Sequence, residues 1–348
     1  MSMLQELESC IPAMLATAGL STAIRSIEPC AQGGNNQTYR VVTADGVFAA
    51  KRYFRHAGDM RSRAVAEFAF LSYAIKASPG FVPQPFAISE VAGIAIYEFI
   101  DGQPFRTSEI GSEEMGEAVR FFRELNQPES RESAGSLPNA SEACFSIMEH
   151  IDLVDLKLAR LNNISPLDAD DRQALALVGR LTTKWRELVA KIPNAATALK
   201  LDITKAIEPE QRCISPSDFG FHNALRDAKG NIRFLDFEYA GWDDPAKMSG
   251  DFFAQIAVPV PSKLFESFVQ GCVAQFADSP QLIARARLLR PVYKVKWCCI
   301  VLNVFLPVNL ARRAFANPEL DVAELKRAQC AKAISILQSL EVSPHGLY

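Results

Sequence analysis

The 348-residue chain has no Cys-x-x-Cys pair, only four histidines, no block of Lys or Arg and no apolar run long enough to cross a bilayer. Each absence removes a class of protein. Eight cysteines scattered without metal-ligand spacing, beside so few histidines, indicate neither a zinc centre nor a disulfide framework, and reduced core thiols in a cytoplasm are expected. Lys+Arg 37 against Asp+Glu 40, a net charge of -3, leaves no basic face for a phosphate backbone, so nucleic acid is excluded as the main partner. The longest apolar candidate, residues 297–310, is broken by Asn303, Pro307 and Asn309 and falls short of the roughly 18–20 residues a membrane span needs. It predicts a buried helix and turn, and no membrane partner is expected. Glu6 and Glu8 stand where a signal peptide carries positive charge, which argues against secretion.

What is present is a 49% hydrophobic composition, which excludes disorder, and a length that suggests two lobes at roughly 100–200 residues per domain. Leu4, Leu7, Ile11 and Leu15 predict an amphipathic helix over 3–18, within an N-terminal extension of residues 1–22. Residues 38–43 and 47–54 read as strands joined across Asp45-Gly46, a strong hairpin signal. A helix over 61–77 follows, then a second hairpin from 85–89 and 94–99. The breakers Asp101-Gly102-Gln103-Pro104 then mark a lobe boundary, giving a β-rich lobe of residues 23–100. The rest, 101–348, carries helical periodicity over 112–126, 145–161, 170–191 and 322–340, with one β hairpin from 224–226 and 232–237.

That hairpin lies inside the segment with chemical content, residues 214–245, which includes SPSDFGFHNALRDAKGNIRFLDFEYAGWDDP. Asp218, Asn223 and Asp236 are spaced D-x4-N-x12-D. A loop can present Asp218 to an acceptor hydroxyl and Asn223 to a metal, and a hairpin can return Asp236 to the same metal. Phosphoryl transfer needs little more from a protein than such positioning and the neutralisation of phosphate charge by Mg2+. Taken singly, Asp218 is an ordinary turn former. The linked set points to a nucleotide site.

The run Asp236-Phe237-Glu238-Tyr239-Ala240-Gly241, followed by Asp243-Asp244-Pro245, resembles the D-x-E-x-A-G-x-x-D-P pattern of the aminoglycoside phosphotransferase and choline kinase family. The resemblance covers most of the chain. It implies an α+β, protein-kinase-like two-lobe fold: a small antiparallel β lobe with one main helix, and a larger, mostly helical lobe. It further implies that Asp218 is the catalytic base and that Asn223 and Asp236 hold Mg2+. Gly33, Gly34 and Asn35, in the loop 32–37, would cover the phosphates of ATP. Lys51 would bind the α- and β-phosphates, with Glu67 fixing its rotamer. Glu98 and Ile100 fall in the interlobe hinge, whose backbone reads the base, so GTP stays open beside ATP. The helical half from 245 to 348 would build the acceptor pocket, with Glu238, Trp242 and Trp297 as candidate walls.

The expected activity is transfer of the γ-phosphate to a hydroxyl of a small molecule, an amino alcohol, amino sugar or sugar, so nucleotide and acceptor are the expected partners. Two positions depart from the family. Pro216 stands where the family has a His two residues before the base, and Asn126 follows Leu125 where the family has another His. Pro216 motivates the competing reading, a nucleotide-binding pseudokinase. Asp244 before Pro245 reads as a helix cap, and Asp251 as a brace for the catalytic loop rather than a ligand.

Overall fold

The computed structural model describes residues 3–30, 34–56, 58, 59 and 61–341. Strand periodicity divides the first lobe into two packed faces. Strands β1 (Ile24–Pro29), β2 (Gln37–Thr43), β3 (Val47–Arg52), β4 (Pro85–Ser89) and β5 (Ile94–Glu98) form an antiparallel sheet in the order β1-β2-β3-β5-β4. Successive side chains leave a strand on opposite sides. Ala50, Ile94 and Ile96 therefore join Leu7, Ile11 and Leu15 of helix α1 (Met3–Thr17), while Ala95 and Tyr97 meet Phe70 and Tyr73 of α2 (Arg63–Ala77). Lys51, next along β3 from Ala50, falls on the α2 side. That alternation aims its side chain at the helix.

The larger lobe holds α3 (Ser112–Leu125), α4 (Pro128–Ser133), α5 (Ile147–Leu161), α6 (Ala169–Val189), α7 (Ile192–Ala198), α8 (Pro245–Ala254), α9 (Phe265–Val273), α10 (Ser279–Leu302), α11 (Pro307–Ala316) and α12 (Val322–Glu341). The central helix is α10, packed against α5, α8 and α12. It approaches α8 so closely that a Cβ on Gly250 would lie 2.3 Å from the Tyr293 ring. After Phe305 the chain bends by 78°, which turns α11 away from α10 and back toward the sheet lobe. Among the described residues no single helix is long and apolar enough to cross a membrane.

Two small sheets frame the segment 214–245. Strands β6 (Gly102–Pro104), β8 (Ala224–Asp227) and β9 (Ile232–Phe234) pair in the order β6-β8-β9, and β7 (Cys213–Ser215) pairs with β10 (Gly241–Asp243). The expected breaker at 101–104 is thus partly strand, its backbone taken up by β8. The strand expected over 232–237 stops at Phe234. Asp236 has φ +66, a left-handed conformation that ends a strand.

Candidate active site

The site grows from one buried lysine. Lys51 Nζ lies 2.6 Å from Glu67 Oε2 on α2 and 2.5 Å from Asp236 Oδ1 of the larger lobe. Burial alone would lower the Lys51 ammonium, but the charges of Asp236 and Glu67 outweigh it and hold the group well above its ordinary value. Glu67 is fully engaged. The Tyr53 hydroxyl donates to its Oε2 at 2.7 Å and the Phe237 amide to its Oε1 at 3.2 Å, and Tyr53 in turn meets the Tyr97 hydroxyl at 2.7 Å. Burial pushes the Glu67 carboxyl up against the pull of Lys51.

The loop carrying Asp218 is set by its approach strand. Asn126, just past α3, clamps Ile214 of β7 at both ends of one residue: the Ile214 amide donates to Asn126 Oδ1 at 2.7 Å and Asn126 Nδ2 donates to the Ile214 carbonyl at 3.0 Å. The Ser217 amide donates to Ser215 Oγ at 3.0 Å, around the buried Pro216, and Ser217 itself takes φ +66. Beyond it, Asp218 Oδ1 lies 3.1 Å from His222 Nε2, and Asn223 Nδ2 reaches the Asp218 carbonyl at 2.9 Å and Oδ2 at 3.3 Å. Burial raises the Asp218 carboxyl, but the bonds from His222 and Asn223 outweigh it and leave the group below its usual range. The Leu235 amide donates to the Asn223 carbonyl at 2.8 Å, tying this loop to the residue before Asp236.

The donor chemistry here fits a Mg2+ ion. Asn223 spends its amide N–H on Asp218, which leaves its oxygen for a cation, and Asp236 gives one carboxylate oxygen to Lys51 and keeps the other. Mg2+ takes hard oxygen ligands and retains several waters, so one or two protein oxygens beside a phosphate suffice. Among the described residues no group of three or more His, Cys, Asp or Glu is gathered as a metal cage.

The other expected residues divide. Glu98 accepts Arg233 Nη2 at 2.8 Å and the Gln84 amide at 3.1 Å, so its carboxylate is a strut between lobes, while Ile100 follows two residues on, half-buried. Gly34 and Asn35 lie in the loop before β2, and Gly33 lies outside the described residues. Trp297 donates from Nε1 to Asp251 Oδ1 at 2.9 Å, and its ring stands edge-on to His222 with centroids 6.3 Å apart, which sets it beside Asp218.

Two acceptor candidates are corrected by their surroundings. Glu238 is fully buried, with Asn36 Nδ2 at 2.8 Å and Arg63 Nη1 at 3.4 Å, so it anchors the loop before β2 instead of facing an acceptor. Trp242 sits in β10, donating to the Ala134 carbonyl at 3.3 Å under the Arg131 guanidinium, which places it in the packing of the helical lobe. Asp244 accepts the Ala246 amide at 2.7 Å as the cap of α8, and Asp251 is held by Lys296 at 2.8 Å. Sequence reading did not single out Asn36, Tyr53 or Arg63, because their partners lie far away along the chain and no local spacing announces them.

A buried Lys-Glu pair bridged to an acid of the second lobe, below a loop with an acid and an amide, defines a kinase-fold phosphotransferase. The model of the phosphotransferase enzyme family matches residues 26–247, and the chain belongs to that family. The protein is a kinase. Among solved structures it is similar to a choline/ethanolamine kinase family protein from Mesorhizobium loti, at 18% identity over 99% of this chain and 98% of that one, with a TM-score of 0.61. Spectinomycin phosphotransferase APH(9)-Ia, solved with ADP and spectinomycin, matches at 12% identity over 93% and 98%, TM-score 0.58. Choline kinase LicA from Streptococcus pneumoniae matches at 15% over 96% and 99%, TM-score 0.56. At these identities the likeness shows a shared fold. Comparison with curated proteins gives no match.

Proposed function

We propose that the protein transfers the γ-phosphate of Mg·ATP to a hydroxyl group of a small molecule, an amino alcohol, amino sugar or sugar. The observation that carries this reading is the bridge from Glu67 through Lys51 to Asp236, within a loop system that joins Asp236 to Asn223 and Asp218. Lys51 would hold the α- and β-phosphates, Gly34 and Asn35 would cover them, and the backbone from Glu98 to Ile100 would meet the base. Asn223 and Asp236 would hold Mg2+, whose charge neutralises the phosphates. Asp218 takes the proton of the acceptor hydroxyl as its oxygen bonds to the γ-phosphorus. The bond from that phosphorus to the bridging oxygen breaks, and ADP leaves with the electron pair. Trp297, beside His222, would form one wall for the acceptor.

The test is ADP release with Mg·ATP over a panel of amino alcohols, sugars and aminoglycosides. Acceptor-dependent release that is lost in Asp218→Asn is expected. Nucleotide binding with no acceptor-dependent release anywhere in a broad panel would favour the pseudokinase reading that Pro216 motivates.

A further inference from the structure

A triphosphate entering this cleft meets the carboxylates of Asp218 and Asp236, with Lys51 shared between Asp236 and the buried Glu67. The phosphate in transfer needs further positive charge placed where its own charge develops. Helix α11 brings one such charge. Past the 78° bend it fastens to both flanks of the loop before β2: Arg313 Nη1 donates to the Gly34 carbonyl at 3.0 Å, and Gln37 Nε2 donates to the Phe315 carbonyl at 2.7 Å. The Phe315 ring meets Phe54 at 5.5 Å and lies under the Arg52 guanidinium, and the Arg312 guanidinium lies over Phe54 at 5.6 Å.

Arg313 makes no ion pair with a carboxylate among the described residues and spends one N–H on a backbone carbonyl. Burial and the neighbouring Arg312 charge lower its guanidinium, with Tyr239 and Asp218 pulling the other way, and Arg312 has a buried Nε with no partner. The bareness of Gly34 makes room for the group, since a Cβ there would come within 2.0 Å of Arg313 Nη1. Arg313 thus holds a guanidinium with N–H groups to spare against the loop that would cover the phosphates.

We propose that α11 covers the phosphoryl-transfer cleft and that Arg313 donates N–H groups to the oxygens of the γ-phosphate as it passes to the acceptor. This rests on the phosphotransferase reading above. Arg313 forms no covalent bond in the step; a planar fork of donors suits the phosphate oxygens while the proton goes to Asp218.

The experiment measures binding of Mg·ADP and of a non-hydrolysable ATP analogue with Mg2+ to the full chain, as wild type, Arg313→Ala and Arg313→Lys, with kcat alongside. In Arg313→Ala, affinity for the analogue is expected to fall about 10–100-fold while ADP stays within about 2-fold. kcat should fall on the order of 10²–10³-fold. Arg313→Lys should recover part of both, which separates lost charge from a damaged fold. Equal weakening of the two nucleotides would make Arg313 a mere strut for Gly34 and overturn the proposal, as would an unchanged ratio. A rise in kcat would mean that α11 obstructs the cleft, and would overturn it too. A wild type that binds neither nucleotide overturns the phosphotransferase reading itself, whereas with a wild type that binds both, any selective loss in the variants belongs to Arg313.

Discussion

His222 Nε2 lies 3.1 Å from Asp218 Oδ1, four residues back along the same loop. Burial raises the Asp218 carboxyl, and the hydrogen bond and charge of His222 are the largest influences lowering it. A base works only when deprotonated, so with Asp218 as the proposed base the acid limb of the rate profile should follow this group. In His222→Ala the lowering influence is gone, the carboxyl titrates higher, and the acid limb of kcat/KM should move to higher pH. The measurement is kcat/KM against pH for both proteins, and an acid limb that stays in place would show that His222 does not tune the base.

Asp218→Asn keeps the shape of the side chain and removes the proton acceptor. Turnover should fall by roughly 10²–10⁴-fold, with nucleotide affinity within a few-fold, because a general base contributes to the transition state and little to ground-state binding. Near-normal turnover would remove Asp218 from the mechanism.

Lys51→Ala should depress kcat and raise KM for ATP, and Glu67→Ala should do the same more mildly, since Glu67 acts by holding Lys51 at 2.6 Å. The two losses should not add, because both dissolve one ion pair. A double-mutant cycle on kcat/KM checks this, and strict additivity would mean that the pair plays no joint part in turnover.

Pro216 separates the kinase from the pseudokinase. Proline fixes φ and offers no N–H, and here the turn around it is held by Ser215, Ser217 and the Asn126 clamp on Ile214. Pro216→His should therefore be neutral or mildly harmful to ADP release. A silent wild type beside an active variant would contradict the reading.

The elements legible in the sequence were those whose signal is local. The hairpin at Asp45-Gly46 and the helix after it fall where turn chemistry and apolar spacing put them, because strand and helix periods repeat within a few residues. The three-residue strands β6, β7 and β10 were not legible, since so short a run has no period and its pairing is decided by a distant partner. The same holds in the site. Asp218, Asn223 and Asp236 carry a spacing, whereas Asn36 on Glu238 or Arg313 on Gly34 depends on contacts across 202 and 279 residues.

At the cap of α8, Asp244 is buried between Arg285 Nε at 2.5 Å and His150 Nε2 at 3.1 Å. Burial would raise its carboxyl, but the Arg285 charge and the His150 hydrogen bond bring it to about 2. An unfolded Asp titrates near ~3.9, so this pairing stabilises the fold fully above that value, and the contribution drains away as pH falls toward 2. Arg285→Met leaves a buried carboxylate without its main partner, at a cost of about 3–5 kcal/mol near neutral pH. The stability gap between wild type and variant should then narrow as pH falls from neutrality toward 2: protonation of the raised Asp244 carboxyl removes the variant's penalty above about 4, and the wild type's benefit is lost from about 4 down to 2. Urea unfolding of both proteins across that range checks the sign. The other carboxylates titrate in common and cancel in the difference, so a gap that does not change with pH would mean that Arg285 stabilises the fold by packing alone.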